Sequence, residues 1–169
     1  MWRFSTVISL GILFATAANA DASGWQLHAA DETQHLRLSY GLGEQVSYLF
    51  DCSAKEVIIT ETGVTKLLDL KTGAAIGDEA GAVMPAGAAM MALFSGKGEP
   101  EFAPAEATKN PAGGWDLTMR LPKDDKRLKA MGKGAMISLF TTGYTMSVPL
   151  SDDDRAMWKE FVQRCTAAG

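Results

Sequence analysis

Cysteine is almost missing from this chain. Two occur in 169 residues, Cys52 and Cys165, and they lie far apart. A redox dithiol needs close spacing, typically C-x-x-C, which this chain lacks, so a redox or free-thiol role is the lesser alternative to a structural pairing. Histidine is as scarce, with only His28 and His35. Both fall near the N-terminus on the polar sides of their segments, which leaves little for an imidazole-based triad. There is no G-x-S-x-G, no H-E-x-x-H and no Walker A loop. Gly96-Lys97-Gly98 is a lone glycine-rich turn outside a strand–loop–helix context. A positive charge excess is also lacking. Sixteen Lys and Arg face twenty Asp and Glu, for a formal net charge of -4, which excludes an electrostatic footprint for nucleic acid. Beyond residue 20 no apolar run approaches the roughly 20 residues of a transmembrane helix.

What is present begins with an export pattern. Met1-Trp2-Arg3 carries one early positive charge, Val7 to Ala18 is apolar, and Ala18-Asn19-Ala20 precedes Asp21. These three parts predict a signal peptide over residues 1–20, leaving one β-rich domain over 21–169. No cysteine stands at the junction, so a lipid anchor is not indicated. N-glycosylation sequons are absent, and the periplasm, or the medium beyond it, is the expected compartment. A disulfide is chemically allowed there.

Period-two alternation recurs through the mature chain. Trp25, Leu27 and Ala29, then Leu36, Leu38 and Tyr40, read as an antiparallel hairpin turning at Asp31-Glu32-Thr33. Val46, Tyr48, Phe50 and Cys52 share one strand face. Glu56 to Thr60 reads as a buried strand, Glu61-Thr62-Gly63 as a tight turn, and Val64 to Leu70 as the returning strand. Gly73 to Pro100 is rich in Ala, Gly and Met and gives little periodicity. A strand is expected over Met90 to Ser95. Glu101 to Lys109 reads as extended and Asn110 to Gly114 as a turn. Trp115, Leu117, Met119 and Leu121 then give the cleanest alternation in the chain. A short helix follows over Asp124 to Met131, then a hairpin over Ala135 to Leu150 around Gly143.

Ser151 offers a helix N-cap, and Asp152, Asp153 and Asp154 fill the first turn, where negative charge suits the helix dipole. Met157, Phe161 and Cys165 recur every four residues on one face of that helix. The two cysteines therefore end two apolar faces, one on a strand and one on a helix. A disulfide Cys52–Cys165 clamping the last helix to the sheet follows. Closing so long a loop stabilises by up to roughly 4 to 5 kcal/mol in the chain-entropy model. The expected class is mainly β, an antiparallel sandwich or a partly open barrel, with one short helix and the disulfide-clamped C-terminal helix.

Lys123, Lys126, Arg127, Lys129 and Lys133 form a local basic patch suited to an anionic partner such as a phospholipid head group or an acidic protein. A solvated helix face tempered by Asp124 and Asp125 is the plainer reading. His28 and His35 flank a turn and, with Asp31 or Glu32, offer a metal site; two solvated imidazoles are the alternative. Nine methionines are scattered without close pairs suited to copper and read as core filler. Asp152 to Asp154 lack the alternating ligand pattern of a calcium loop. Gly73 to Phe94 offers an apolar cavity lined by Met90 and Phe94 at a barrel mouth.

Leu128 to Cys165 runs as a basic short helix, Gly132-Lys133-Gly134, the hairpin to Leu150, Ser151 and an amphipathic helix. That order resembles the C-terminal half of the invasion-associated locus B family, small secreted bacterial β-rich proteins linked to host-cell interaction. The resemblance covers about a quarter of the chain and implies no particular functional residue. The expected function is a small exported, non-catalytic binding or interaction protein, without a cofactor, that contacts a protein or envelope component. A small-ligand carrier or enzyme with an apolar pocket, and a metal-handling protein using His28 and His35, are the alternatives.

Overall fold

The computed structural model describes residues 24–28, 35–42, 45–69, 71–85 and 87–167. The predicted signal peptide over 1–20 and the predicted turn Asp31 to Thr33 lie outside the described residues. Along the chain the strands are β1 (Gly24–His28), β2 (Arg37–Leu42), β3 (Gln45–Cys52), β4 (Glu56–Val64), β5 (Leu67–Leu68), β6 (Ala75–Ile76), β7 (Met90–Phe94), β8 (Ala103–Pro104), β9 (Glu106–Lys109) and β10 (Trp115–Pro122). Helix α1 (Lys126–Met131), β11 (Met136–Thr141), β12 (Tyr144–Pro149) and α2 (Asp152–Ala167) complete it. The protein is mainly β, with antiparallel sheets, two helices and the C-terminal helix bonded to the sheet.

A six-stranded sheet has the order β1-β2-β3-β4-β10-β9, and a four-stranded sheet has the order β12-β11-β7-β8. β5 and β6 form a hairpin of their own. The large sheet turns Tyr48, Phe50, Ile59, Leu117, Met119 and Leu121 inward, as period-two alternation requires. The small sheet presents Met91, Leu93, Ile137 and Leu139 to the same core. Tyr48 links the layers directly: its hydroxyl donates to the Met146 carbonyl of β12 at 2.6 Å.

Residues 101–109, predicted as one extended piece, divide at Ala105. Its N–H donates to the Ala89 carbonyl at 2.9 Å. β8, just before it, pairs with β7, and β9, just after it, pairs with β10. The chain crosses there from one sheet to the other. Gly77, directly after β6, is held down by Trp115, whose indole N–H donates to the Gly77 carbonyl at 3.0 Å. Lys109 adds a cation–π contact over the same ring, with Nζ 4.0 Å from the centroid.

Four expectations need correcting. Glu61-Thr62-Gly63 is not a turn: β4 runs through it. Trp115 pairs with Val64 and Leu117 with Glu61, so β4 carries one extra residue opposite Asp116. Gly63 takes φ +68° at this bulge, a conformation glycine adopts without steric cost. The strand predicted over Val64 to Leu70 consequently shrinks to the two residues of β5. Glu56 to Thr60 is buried on one face only, with Val57 and Ile59 inward and Ile58 outward. Val46 does not continue the face of Tyr48: Tyr40 pairs with Tyr48 but its neighbour Gly41 pairs with Val46, a register shift at Ser47 that breaks the alternation and leaves Val46 45% exposed.

α2 begins with a reciprocal cap. Ser151 Oγ accepts from the Asp154 N–H at 3.2 Å, and the Asp154 carboxylate accepts from the Ser151 N–H at 2.9 Å. Its buried residues are Trp158, Phe161 and Cys165; Met157 is only partly covered. Trp158 stands edge-on to Phe50, centroids 4.8 Å apart, and to Trp25, 6.1 Å apart. Its indole N–H donates to the Leu128 carbonyl of α1 at 2.7 Å. Cys165 is bonded to Cys52, with Cα atoms 5.7 Å apart across 113 positions. Replacing both cysteines by alanine should lower unfolding free energy by about 2–5 kcal/mol. Denaturant titration of the double variant checks this, and an unchanged midpoint would contradict it.

Candidate functional site

Glu61 is the one carboxylate on the inward face of the large sheet among the described residues. The bulge that follows it keeps β4 in place, so the alternation from Val57 through Ile59 carries Glu61 inward as well. Its lateral neighbours are Tyr48 on β3 and Leu117 on β10. It is 1% exposed, and neither carboxylate oxygen has a hydrogen-bond partner. Taking a charged carboxylate out of water without a partner is costly, so the neutral acid is favoured. Burial raises its pKa from an ordinary 4.5 to about 8. Burial, and then the nearby Glu61, also hold the Tyr48 hydroxyl well above its ordinary range. Sequence reasoning missed Glu61 because a Glu-Thr-Gly triplet has the composition of a turn.

The outward faces of the two sheets differ in chemistry. On the large sheet, Asp51 takes Arg37 at 2.7 Å and His35 at 3.1 Å, and Arg120 joins Glu56 at 2.8 Å. Thr60 and Thr118 bond across the strands at 3.2 Å. This is a wet, charge-laddered surface. The small sheet instead turns Met90, Ala92 and Phe94 of β7 and Met136 and Phe140 of β11 away from the core. Phe94 and Phe140 meet edge to face, centroids 5.4 Å apart. Met136 is 37% exposed, and Phe102, just before β8, is 45% exposed. Phe94 and Phe140 are half-buried, and Ser138 meets Ser147 at 2.7 Å between them and the strand end, so the apolar groups open to water on this side are Met136 and Phe102. Apolar side chains left open beside rings suit an interaction face.

The five basic residues singled out from sequence do not form one cluster. Lys126 and Arg127 line a cleft of about 330 Å³ between α1 and the end of β7, together with Lys97, Phe94 and Met131. Lys126 pairs with Glu101 at 2.9 Å. Arg127 grips Asp125 through Nε at 2.9 Å and Nη2 at 2.8 Å, and its guanidinium holds the Asp125 carboxyl below the ordinary carboxylate range. Lys129 faces a separate cleft of about 120 Å³ between α1 and α2, beside Trp158 and Val162. Lys133 is exposed beyond α1, and Lys123 Nζ is buried without a hydrogen-bond partner.

The histidines also take separate partners. His28 Nε2 lies 2.9 Å from Ser39 Oγ, and His35 Nδ1 bonds Asp51. Asp31 and Glu32 lie outside the described residues. Among the described residues no three His, Cys, Asp or Glu side chains converge on a point. Of the segment Gly73 to Phe94, Met91 and Leu93 fill the core, and Phe94 reaches the outer cleft. Asp152 to Asp154 serve the helix start, with Asp152 also paired to Arg155.

The buried acid sets a pH dependence. Below 4.5, folded and unfolded chains both hold the proton and there is no penalty. Between 4.5 and about 8 only the unfolded chain releases it, so stability falls as pH rises, by about 1.4 kcal/mol per unit. Above about 8 the loss levels off. Glu61→Gln should remove this slope and leave the protein more stable at pH 7. Urea midpoints measured across that range decide the matter; parallel curves for the two proteins would refute it. Comparison with protein-family models, curated proteins and solved structures finds no match for this chain.

Proposed function

We propose that this protein is an exported, periplasmic, non-catalytic binding module that contacts a protein or envelope component through the outward face of its small sheet. The observation that carries this reading is the contrast between the two outward faces. One is laddered with ion pairs, while the other carries the exposed Met136 and Phe102 beside the half-buried rings of Phe94 and Phe140. Apolar groups as open to water as Phe102 and Met136 lower solubility and gain by meeting a partner. Methionine adds a surface that adapts to its partner. The export pattern at the N-terminus and the disulfide fit an oxidising compartment. The resemblance to invasion-associated locus B proteins agrees with a role at the envelope or in host contact, and kinship with them is part of the same proposal.

A photo-cross-linker placed at Phe140 should trap a discrete adduct in living cells, while one at Thr60 on the charged face should not. Equal adducts from both positions, or none from Phe140, would overturn the assignment.

The cleft beside α1 supports a second reading, a carrier for a small anionic amphiphile. Its wall is apolar at Phe94 and Met131, and its rim carries Lys97, Lys126 and Arg127 alongside Glu99 and Glu101, of which Glu101 already pairs with Lys126. Native mass spectrometry of protein taken directly from its own compartment tests this: a retained acidic small molecule is expected, and a bare polypeptide mass argues against it.

A further inference from the structure

The β5–β6 hairpin is a light closure. Only two residue pairs make it, Leu67 with Ile76 and Leu68 with Ala75. Its inward side chains, Leu67 and Ile76, are buried. It is tied to the small sheet by the Leu68 N–H, which donates to the Thr142 carbonyl of the β11–β12 turn at 2.7 Å. Gly143 in that turn, at φ +94°, lets Leu68 approach: a Cβ there would come within 3.0 Å of the Leu68 side chain.

Glu61 lies just before this closure. Its next inward neighbour along β4 is Val64, and the chain then turns into Leu67. On its other flank stands Tyr48, locked by its bond to Met146 and by ring contacts with Trp25 and Tyr40. We propose that Glu61 is a proton-operated catch on the β5–β6 hairpin, which closes the sandwich end while the carboxyl is neutral and lifts to admit water when the carboxylate forms.

The surroundings leave the carboxylate no other relief. Tyr48 flanks it on β3, with Tyr40 and Tyr144 near the Tyr48 hydroxyl, and none of these side chains supplies a cation. Leu117 flanks it on β10. The inward residues of the small sheet, Met91, Leu93, Ile137, Leu139, Thr141 and Val148, carry no charge, nor do Leu67, Ile76, Trp158 and Phe161. Burial alone accounts for the raised titration of Glu61, with no cation to offset it. An ion in that position must reach water, and it does so by the opening that breaks the fewest contacts. Displacing β3 would break the Tyr48 bond and an aromatic cluster; displacing the hairpin about Gly77, which Trp115 retains, breaks the Leu68 bond to Thr142 and uncovers Leu67 and Ile76.

Amide hydrogen exchange resolves this, with protection factors corrected for the intrinsic pH dependence of exchange. Between about pH 6 and pH 9, protection over residues 65–76 should fall about tenfold or more in the wild-type protein, the size expected of a titration near the middle of that range. Residues of β3 and β10 should hold their protection. Glu61→Gln should keep the hairpin equally protected at both pH values, and Glu61→Met gives the same reading if the glutamine variant folds poorly. Unchanged hairpin protection in the wild type would overturn the proposal. So would an equal loss in the variants, or a loss spread evenly over both sheets.

Discussion

A six-stranded sheet facing a four-stranded one leaves part of its apolar face without cover, and the rest of the structure answers that mismatch. β12 sits over β3, as the Tyr48 to Met146 bond shows, so β1 and β2 extend past the edge of the small sheet. Trp25 and Leu38 would otherwise meet water there. α2 supplies the missing cover through Trp158 and Phe161. A helix of 16 residues docked by so few side chains is a marginal addition, and the bond between Cys52 and Cys165 holds it. α1 is then fixed by α2, because the Trp158 indole N–H reaches the Leu128 carbonyl.

Seen from that constraint, the two outward surfaces have separate roles. The large sheet spends its outer face on ion pairs and hydroxyl ladders, which keep a broad β surface soluble and blunt its tendency to pair with another sheet. The small sheet leaves rings and thioethers outside. Shape alone does not require that difference, since both sheets bury their inner faces in one core.

Much of this was legible in the amino acids, and for a physical reason. Where one face is buried and one is wet, alternation is strict, so Trp115 to Leu121 and Tyr48 to Cys52 announced themselves. The cysteine pairing followed because each thiol ended an apolar face. Misreadings cluster where local composition and tertiary role diverge. Glu61-Thr62-Gly63 looks like a turn, yet the pairing of β4 with β10 extends through it as a bulge and carries a carboxyl inward. Trp158 was overlooked because spacing by four selected Met157, whereas the true face follows Trp158, Phe161 and Cys165. Outward Phe94 and Phe140 were hidden for another reason: an apolar residue on a strand gives no sign of which face it occupies until the neighbouring strands are placed. The basic residues near α1 were visible as composition, but their division between two clefts depends on where Glu101, Asp125 and α2 lie.

The crossing at Ala105 has a mechanical consequence. A single residue between β8 and β9 hinges the two sheets along one flank, much as a spine joins the covers of a book. The cystine straps the opposite flank through α2. With both flanks held by covalent chain, the covers can neither slide nor part sideways. Any breathing is confined to the top and bottom of the volume, where only short connections span the gap.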